Sequence, residues 1–225
     1  MMDNPSLFRY RVRFSKTEAM RFTGNLDLYR TWERTLRRAN VPLAYSLGFS
    51  PHPKINLGAA LALGCSSEAE LAEIWLEEDL TPPDLRSSLE KASPPGIRVT
   101  AVERIATTEP ALQTLIRSAE YEVRLHAEEM PDDLTARVGA LLGAPILTRE
   151  RRGKAYDLRP LIEALEIVAD DPGEGCLRMR LAAREGATGR PQEVLLALGM
   201  DPTLARIHRR RLLLDAGPRP SSDAT

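Results

Sequence analysis

The chain has 225 residues, enough for one large or two compact domains whose core needs neither disulfides nor a metal. Its 31 basic and 32 acidic side chains leave a net charge of −1, which excludes a uniformly basic, histone-like nucleic-acid binder. At 43% hydrophobic residues the chain is not disordered, and no apolar run approaches the ~20 residues of a membrane span.

Residues 8–14 alternate strictly, with Phe8, Tyr10, Val12 and Phe14 on one face and Arg9, Arg11 and Arg13 on the other. That period of two predicts a half-buried strand. Asn25 is placed to cap a helix running to about Asn40, with Leu28, Tyr29, Trp32, Leu36 and Ala39 as its apolar stripe. Pro42 ends it; a short strand over 43–46, a stiff loop over 48–53 and a weak strand over 55–63 follow. A strand over 71–77, a helix over 82–92 and a strand over 97–105 complete the order β-α-β-β-α-β. The second half reads similarly. Strands are expected over 120–127, 146–150, 176–183 and 207–214, and helices over 131–142, 158–165 and 191–198. The predicted architecture is therefore α+β: two tandem ferredoxin-like (split βαβ) domains with antiparallel sheets. Their expected bounds are 1–108 and 119–215, with a linker at 109–118 and a disordered tail at 216–225.

The charge is unevenly spread. Residues 1–65 carry 10 basic and 4 acidic groups, whereas residues 66–110 carry 4 and 10. A +6 block beside a −6 block is either a dipolar surface or one neutralised internally.

Several stretches are similar to a known family. They are Arg21-Phe22, Leu26-Asp27-Leu28, Trp32-Glu33-Arg34, Leu36-Arg37-Arg38-Ala39, Pro42-Leu43-Ala44-Tyr45-Ser46, Gly48-Phe49-Ser50-Pro51-His52-Pro53-Lys54-Ile55 and, more faintly, Asp157-Leu158-Arg159-Pro160. Together they resemble the bacterial radical-SAM-linked protein family, whose members are often fused to or encoded beside a radical-SAM, cobalamin-binding protein. The family commonly carries a Ser-His pair where this chain has Gly24-Asn25. The resemblance implies an accessory partner of a radical-SAM enzyme in RNA modification, and it carries over no catalytic residue. Two cysteines, Cys65 and Cys176, are too few to hold an iron–sulfur cluster, so the chain does not perform radical-SAM chemistry alone.

Four groups are candidate sites. The row Arg9, Arg11 and Arg13 spaces guanidiniums ~7 Å apart, close to phosphate spacing along a single strand. Glu73 and Glu77 on the neighbouring strand would instead neutralise it. Arg30, Arg34, Arg37 and Arg38 form a basic stripe on the first helix, read either as a solvated face or as a phosphate-facing one. Arg149, Arg151, Arg152 and Lys154 flank Gly153 in a hairpin or loop able to wrap a backbone. His52 and Lys54 sit in a Pro-His-Pro-Lys loop, where an imidazole could act as acid or base and an ammonium could steady a phosphate, or where the turn is simply rigid. Trp75, opposite the expected core face, must be covered by something.

The leading expectation is a non-catalytic RNA-binding or substrate-presenting module in the cytoplasm, with no metal site, no cofactor and no membrane contact. Its candidate partners are RNA, either tRNA or rRNA, and a radical-SAM protein. The alternatives are a metal-independent RNA-processing enzyme using His52 and a protein–protein adaptor without RNA affinity.

Overall fold

A computed structural model describes residues 7–151, 153–171 and 174–215. The strand β1 (Phe8–Lys16) puts Tyr10, Val12 and Phe14 under helices α1 (Asn25–Arg38) and α2 (Pro82–Ala92), as the alternation requires. Phe14 meets Trp32 of α1 edge-on, with ring centroids 4.8 Å apart. The strands β2 (Ile55–Leu57), β3 (Cys65–Leu76) and β4 (Ile97–Ile105) complete this half in the order β4-β1-β3-β2, all neighbours antiparallel.

A short α3 (Leu112–Leu115) leads directly into β5 (Ile116–His126), followed by α4 (Leu134–Gly143) and a separate hairpin of β6 (Thr148–Arg151) and β7 (Lys154–Asp157). The long strands β8 (Ile162–Asp171) and β9 (Glu174–Arg184) pair antiparallel, and a two-residue β10 (Ala187–Thr188) also pairs with β9. Then come α5 (Pro191–Ala197) and β11 (Arg206–Leu214). The order in this half is β11-β5-β9-β8.

The two halves share one sheet. Ile207, His208 and Arg209 of β11 pair in parallel with Cys65, Ser66 and Ser67 of β3, giving a nine-stranded, mostly antiparallel sheet in a mixed α+β molecule. The stretch expected as a linker is packed rather than free: Leu112 and Ile116 are fully buried, and the carbonyls of Glu109 and Pro110 accept from Arg9 at 2.6 and 2.9 Å.

The strand expected over 43–46 is reduced to isolated bridges at Leu43 and Tyr45, and three further elements differ from expectation for identifiable reasons. The helix predicted over 158–165 is a 3-10 turn, Arg159–Leu161, followed by β8. Leu158, Leu161, Ile162 and Leu165 imitate helical spacing because the register of β8 shifts between Ile162 and Ala164. That bulge resets the alternation and buries both Ile162 and Leu165. β3 begins at Cys65, six residues early, because its polar start (Ser66, Ser67, Glu70) is buried against β11 rather than against a helix. β2 stops at Leu57, where Gly58 crosses the sheet closely: a Cβ there would lie 3.0 Å from Ile116 and 3.2 Å from the Leu71 carbonyl. Arg152 and the expected tail over 216–225 lie outside the described residues.

The arginine row of β1 is mostly interior. Arg9 and Arg11 are 3% and 9% exposed, and each grips one oxygen of the fully buried Glu73, at 2.6 and 2.8 Å. Two guanidiniums held by one carboxylate depend on it, because removing it leaves buried Arg9 with carbonyl partners alone and Arg11 with only the more distant, partly exposed Glu109 and Glu103. Glu73→Gln is predicted to lower stability by about 3–5 kcal/mol in chemical denaturation. A loss within experimental error would mean that solvent neutralises the pair.

Candidate functional site

Burial removes Arg9 and Arg11 from any solvent-facing row, leaving Arg13 exposed alone on that strand. Of the two carboxylates expected to neutralise them, Glu73 occupies both, whereas Glu77 lies just past the end of β3, is exposed and pairs with neither. Arg9 also lies 5.2 Å from the Trp75 ring, covering it. On α1 the stripe is solvent-facing as predicted, since Leu28, Trp32, Thr35 and Leu36 take the core side. Arg30 pairs with Asp27 at 3.5 Å and Arg37 with Glu33 at 2.7 Å, both largely exposed and therefore weak. Arg34 and Arg38 are exposed and form no ion pair among the described residues.

The His52 loop stands beside this helix. The Tyr29 hydroxyl of α1 donates to the Pro53 carbonyl at 3.0 Å, and burial raises the pKa of that hydroxyl, with the Glu33 charge adding to it. Ser46 fixes the loop twice, accepting from the His52 N–H at 3.0 Å and donating its own N–H to the His52 carbonyl at 2.8 Å. The imidazole of His52 is exposed. A groove of about 420 Å³ runs past Ser46, His52, Pro53, Lys54, Ile55, Asn56 and Trp75. These residues supply one imidazole and one ammonium but no carboxylate to pair with either. At the loop tip Leu47 and Phe49 are fully exposed.

The predicted basic hairpin forms β6 and β7, turning at Gly153 with φ of +73°. Arg151 lies 4.8 Å from the Tyr156 ring, and Lys154 is exposed. Arg149 and Arg151 are half-buried, and the Nε of each is buried without a hydrogen-bond acceptor among the described residues. The hairpin belongs to the C-terminal half and does not join the α1 surface.

A second cleft, signalled by no local sequence pattern, lies over the parallel β3–β11 junction. Arg21, Phe22, Leu63 and Gly64 approach it from one half, and Gln192 and residues 202–207 from the other, around about 550 Å³. Further along β11, Arg209 is fully buried and donates to Glu70 at 2.8 Å and to the Ala59 carbonyl at 2.8 Å. Burial works to lower the Arg209 pKa, but the facing Glu70 and Tyr121 more than offset this and raise it. Lys16, 1% exposed, donates to the carbonyls of Arg21 and Cys65, and burial lowers its pKa despite Glu70 nearby. Burial raises the Cys65 thiol pKa, which makes it a poor nucleophile. Among the described residues no three His, Cys, Asp or Glu are grouped to hold a metal ion, and no helix is long and apolar enough to cross a membrane.

Residues 9–191 match a family described as "Uncharacterized protein conserved in bacteria (DUF2344)". The chain belongs to this family. No curated protein matches it. Among solved structures it is similar to a chain of a Cbf5-Nop10-Gar1 complex, with 14% identity and a TM-score of 0.50, covering 90% of this chain and 48% of that one. It is also similar to a chain of the archaeal box H/ACA sRNP Nop10-Cbf5 complex, with 14% identity and a TM-score of 0.44, covering 91% and 48%. The chain thus spans about half the length of the solved chains it matches. At such identity the first likeness speaks to the fold alone.

His208 of β11 gives the junction a pH signature. Its Nδ1 lies 2.9 Å from the Ser66 hydroxyl, across the parallel pairing. Burial lowers its pKa, the Arg210 charge acts in the same direction, and Glu68, Glu122 and Glu18 oppose them. The unfolded chain therefore takes up this proton first as pH falls. Stability from neutral His208 is fully present above the ordinary value of 6.5 and is lost as pH drops through it toward the lower folded value. His208→Asn should flatten the pH dependence of the unfolding midpoint on the acid side of 6.5 relative to the parent chain. Parallel curves would remove His208 from the account.

Proposed function

We propose that this protein is an RNA-binding or substrate-presenting module whose contact surface is the outer face of α1 and the adjoining loop 45–54. One observation carries the reading. Four arginines stand on one exposed helix face, where among the described residues only Asp27 and Glu33 form ion pairs with them, beside a loop that projects Leu47 and Phe49 into solvent. Guanidiniums follow a phosphate backbone, and a projecting aromatic ring offers a base something to stack on. His52 and Lys54 belong to the same surface as binding groups, because their groove provides no carboxylate partner for acid–base chemistry. Arg149, Arg151 and Lys154 make a smaller, separate contact on the other half.

The strand orders β4-β1-β3-β2 and β11-β5-β9-β8 support reading each half as a split βαβ unit, with the boundary inside 109–118. The radical-SAM protein implied by the sequence resemblance fits as the enzyme to which bound RNA is presented.

The test is a salt titration with fluorescent single-stranded RNA. The parent chain should bind with a steep salt dependence. Changing Arg30, Arg34, Arg37 and Arg38 together to Gln should reduce the slope of log K against log salt by about 0.7 for each phosphate no longer neutralised, with roughly tenfold or greater weakening at moderate salt. Arg9 and Arg11 are unsuitable variants, since their loss unbalances the core. An unchanged slope, or no binding at low salt, would overturn the reading.

A further inference from the structure

The cleft over the β3–β11 junction has the composition of a small-molecule site rather than of a mere seam. Phe22, Leu63 and Leu204, which are 66%, 62% and 51% exposed, all line this one concavity. The Arg21 guanidinium lies 4.6 Å from the Phe22 ring, and its partner Glu18 is largely exposed. Arg206 is exposed at the rim, with no ion pair among the described residues. Its cross-strand neighbour Arg124 offers it no carboxylate and is itself paired with Glu122 at 2.8 Å, so the cations that face this cleft are Arg206 and Arg21.

Gln192 supplies a polar anchor. Its Nε2 donates to the Cys65 sulfur at 3.3 Å and, more weakly, to the Leu63 carbonyl at 3.5 Å, which fixes the sense of the amide. Its Oε1 is then a buried acceptor with no hydrogen-bond partner among the described residues. Such an atom is costly unless a donor arrives. An apolar cleft with an aromatic ring, one unsatisfied acceptor and cations at its edge matches a planar ring that bears an N–H and is tethered to an anion.

We propose that the cleft binds a nucleotide unit: the base against Phe22, Leu63 and Leu204, a base N–H on Gln192 Oε1, and the phosphate near Arg206 and Arg21. The ligand is either a free mononucleotide or one unstacked nucleotide of an RNA. The site shares no residue with the α1 surface and stands whether or not that surface binds RNA.

The experiment is calorimetric titration of the full chain with AMP, GMP, CMP and UMP, with ribose 5-phosphate as the control for phosphate alone. At least one mononucleotide should bind at millimolar concentration or below, and ribose 5-phosphate should not. Phe22→Ala and Arg206→Ala should each weaken binding about tenfold. Gln192→Leu should weaken it comparably while leaving the ligand-free unfolding midpoint equal or higher, the opposite of what a purely structural glutamine would do. The α1 variant should leave mononucleotide binding intact, so failure of one proposal is distinguishable from failure of the other. Displacement of the mononucleotide by short RNA assigns the unit to RNA, and its absence assigns a free nucleotide; both support the site. Failure of all four mononucleotides to bind, or equal binding by Phe22→Ala, would overturn it.

Discussion

A single buried ion pair determines how the two halves of this protein meet. Arg209, from the last strand, sits with no exposed surface against Glu70 of β3, and its remaining donors take the carbonyls of Ala59 and Ala60. Taking a guanidinium out of water is tolerable only when its charge and its N–H groups are all answered, and here both are. The consequences spread outward. Residues 59–60 must leave the sheet to present their carbonyls, which ends β2 early and creates the close crossing at Gly58. β11 must lie parallel to β3, which makes one sheet of two and opens the cleft above the join.

The same principle disposes of the charge asymmetry along the chain. The acidic second block sends two of its carboxylates, Glu70 and Glu73, into the interior, while Glu77, Glu78, Asp79, Asp84 and Glu90 stay exposed. Glu73 is spent inside, between Arg9 and Arg11, while Glu103 and Glu109 stand at the edge of that network. What remains of the basic first block at the surface is chiefly the α1 face. A near-neutral protein can therefore present a locally cationic helix, because its acidic side chains lie mostly on other elements and Glu70 and Glu73 face inward.

Much of the fold was legible because it rests on clean periodicities. The alternation of Phe8, Tyr10, Val12 and Phe14 specified β1 and its buried face, and the stripe from Leu28 to Leu36 specified the packing side of α1. Glu73 was recognisable as the partner of the β1 arginines from strand order alone. β8 was illegible because its bulge converts a period of two into helical spacing. The start of β3 was illegible because serines and glutamates do not look like core, and only the distant Arg209 makes them so. The α1 surface was visible as four arginines on one helix face. The cleft was not, because Phe22, Leu63, Gln192 and Arg206 share no local pattern and meet only after β11 has docked on β3. Gln192 in particular is an ordinary residue near a helix start until its neighbours are known.

The most direct test of this account is equilibrium denaturation of the full chain, followed by two reporters. Fluorescence of Trp32 and Trp75 reads the N-terminal half, and amide hydrogen exchange of β5 and β9 reads the C-terminal half. Coincident transitions are expected in the parent chain, and in a Glu70→Gln variant both reporters should shift to lower denaturant. Separate transitions in the parent chain, or a Glu70→Gln shift seen by neither reporter, would contradict the claim that the buried Arg209–Glu70 pair makes the two halves one unit.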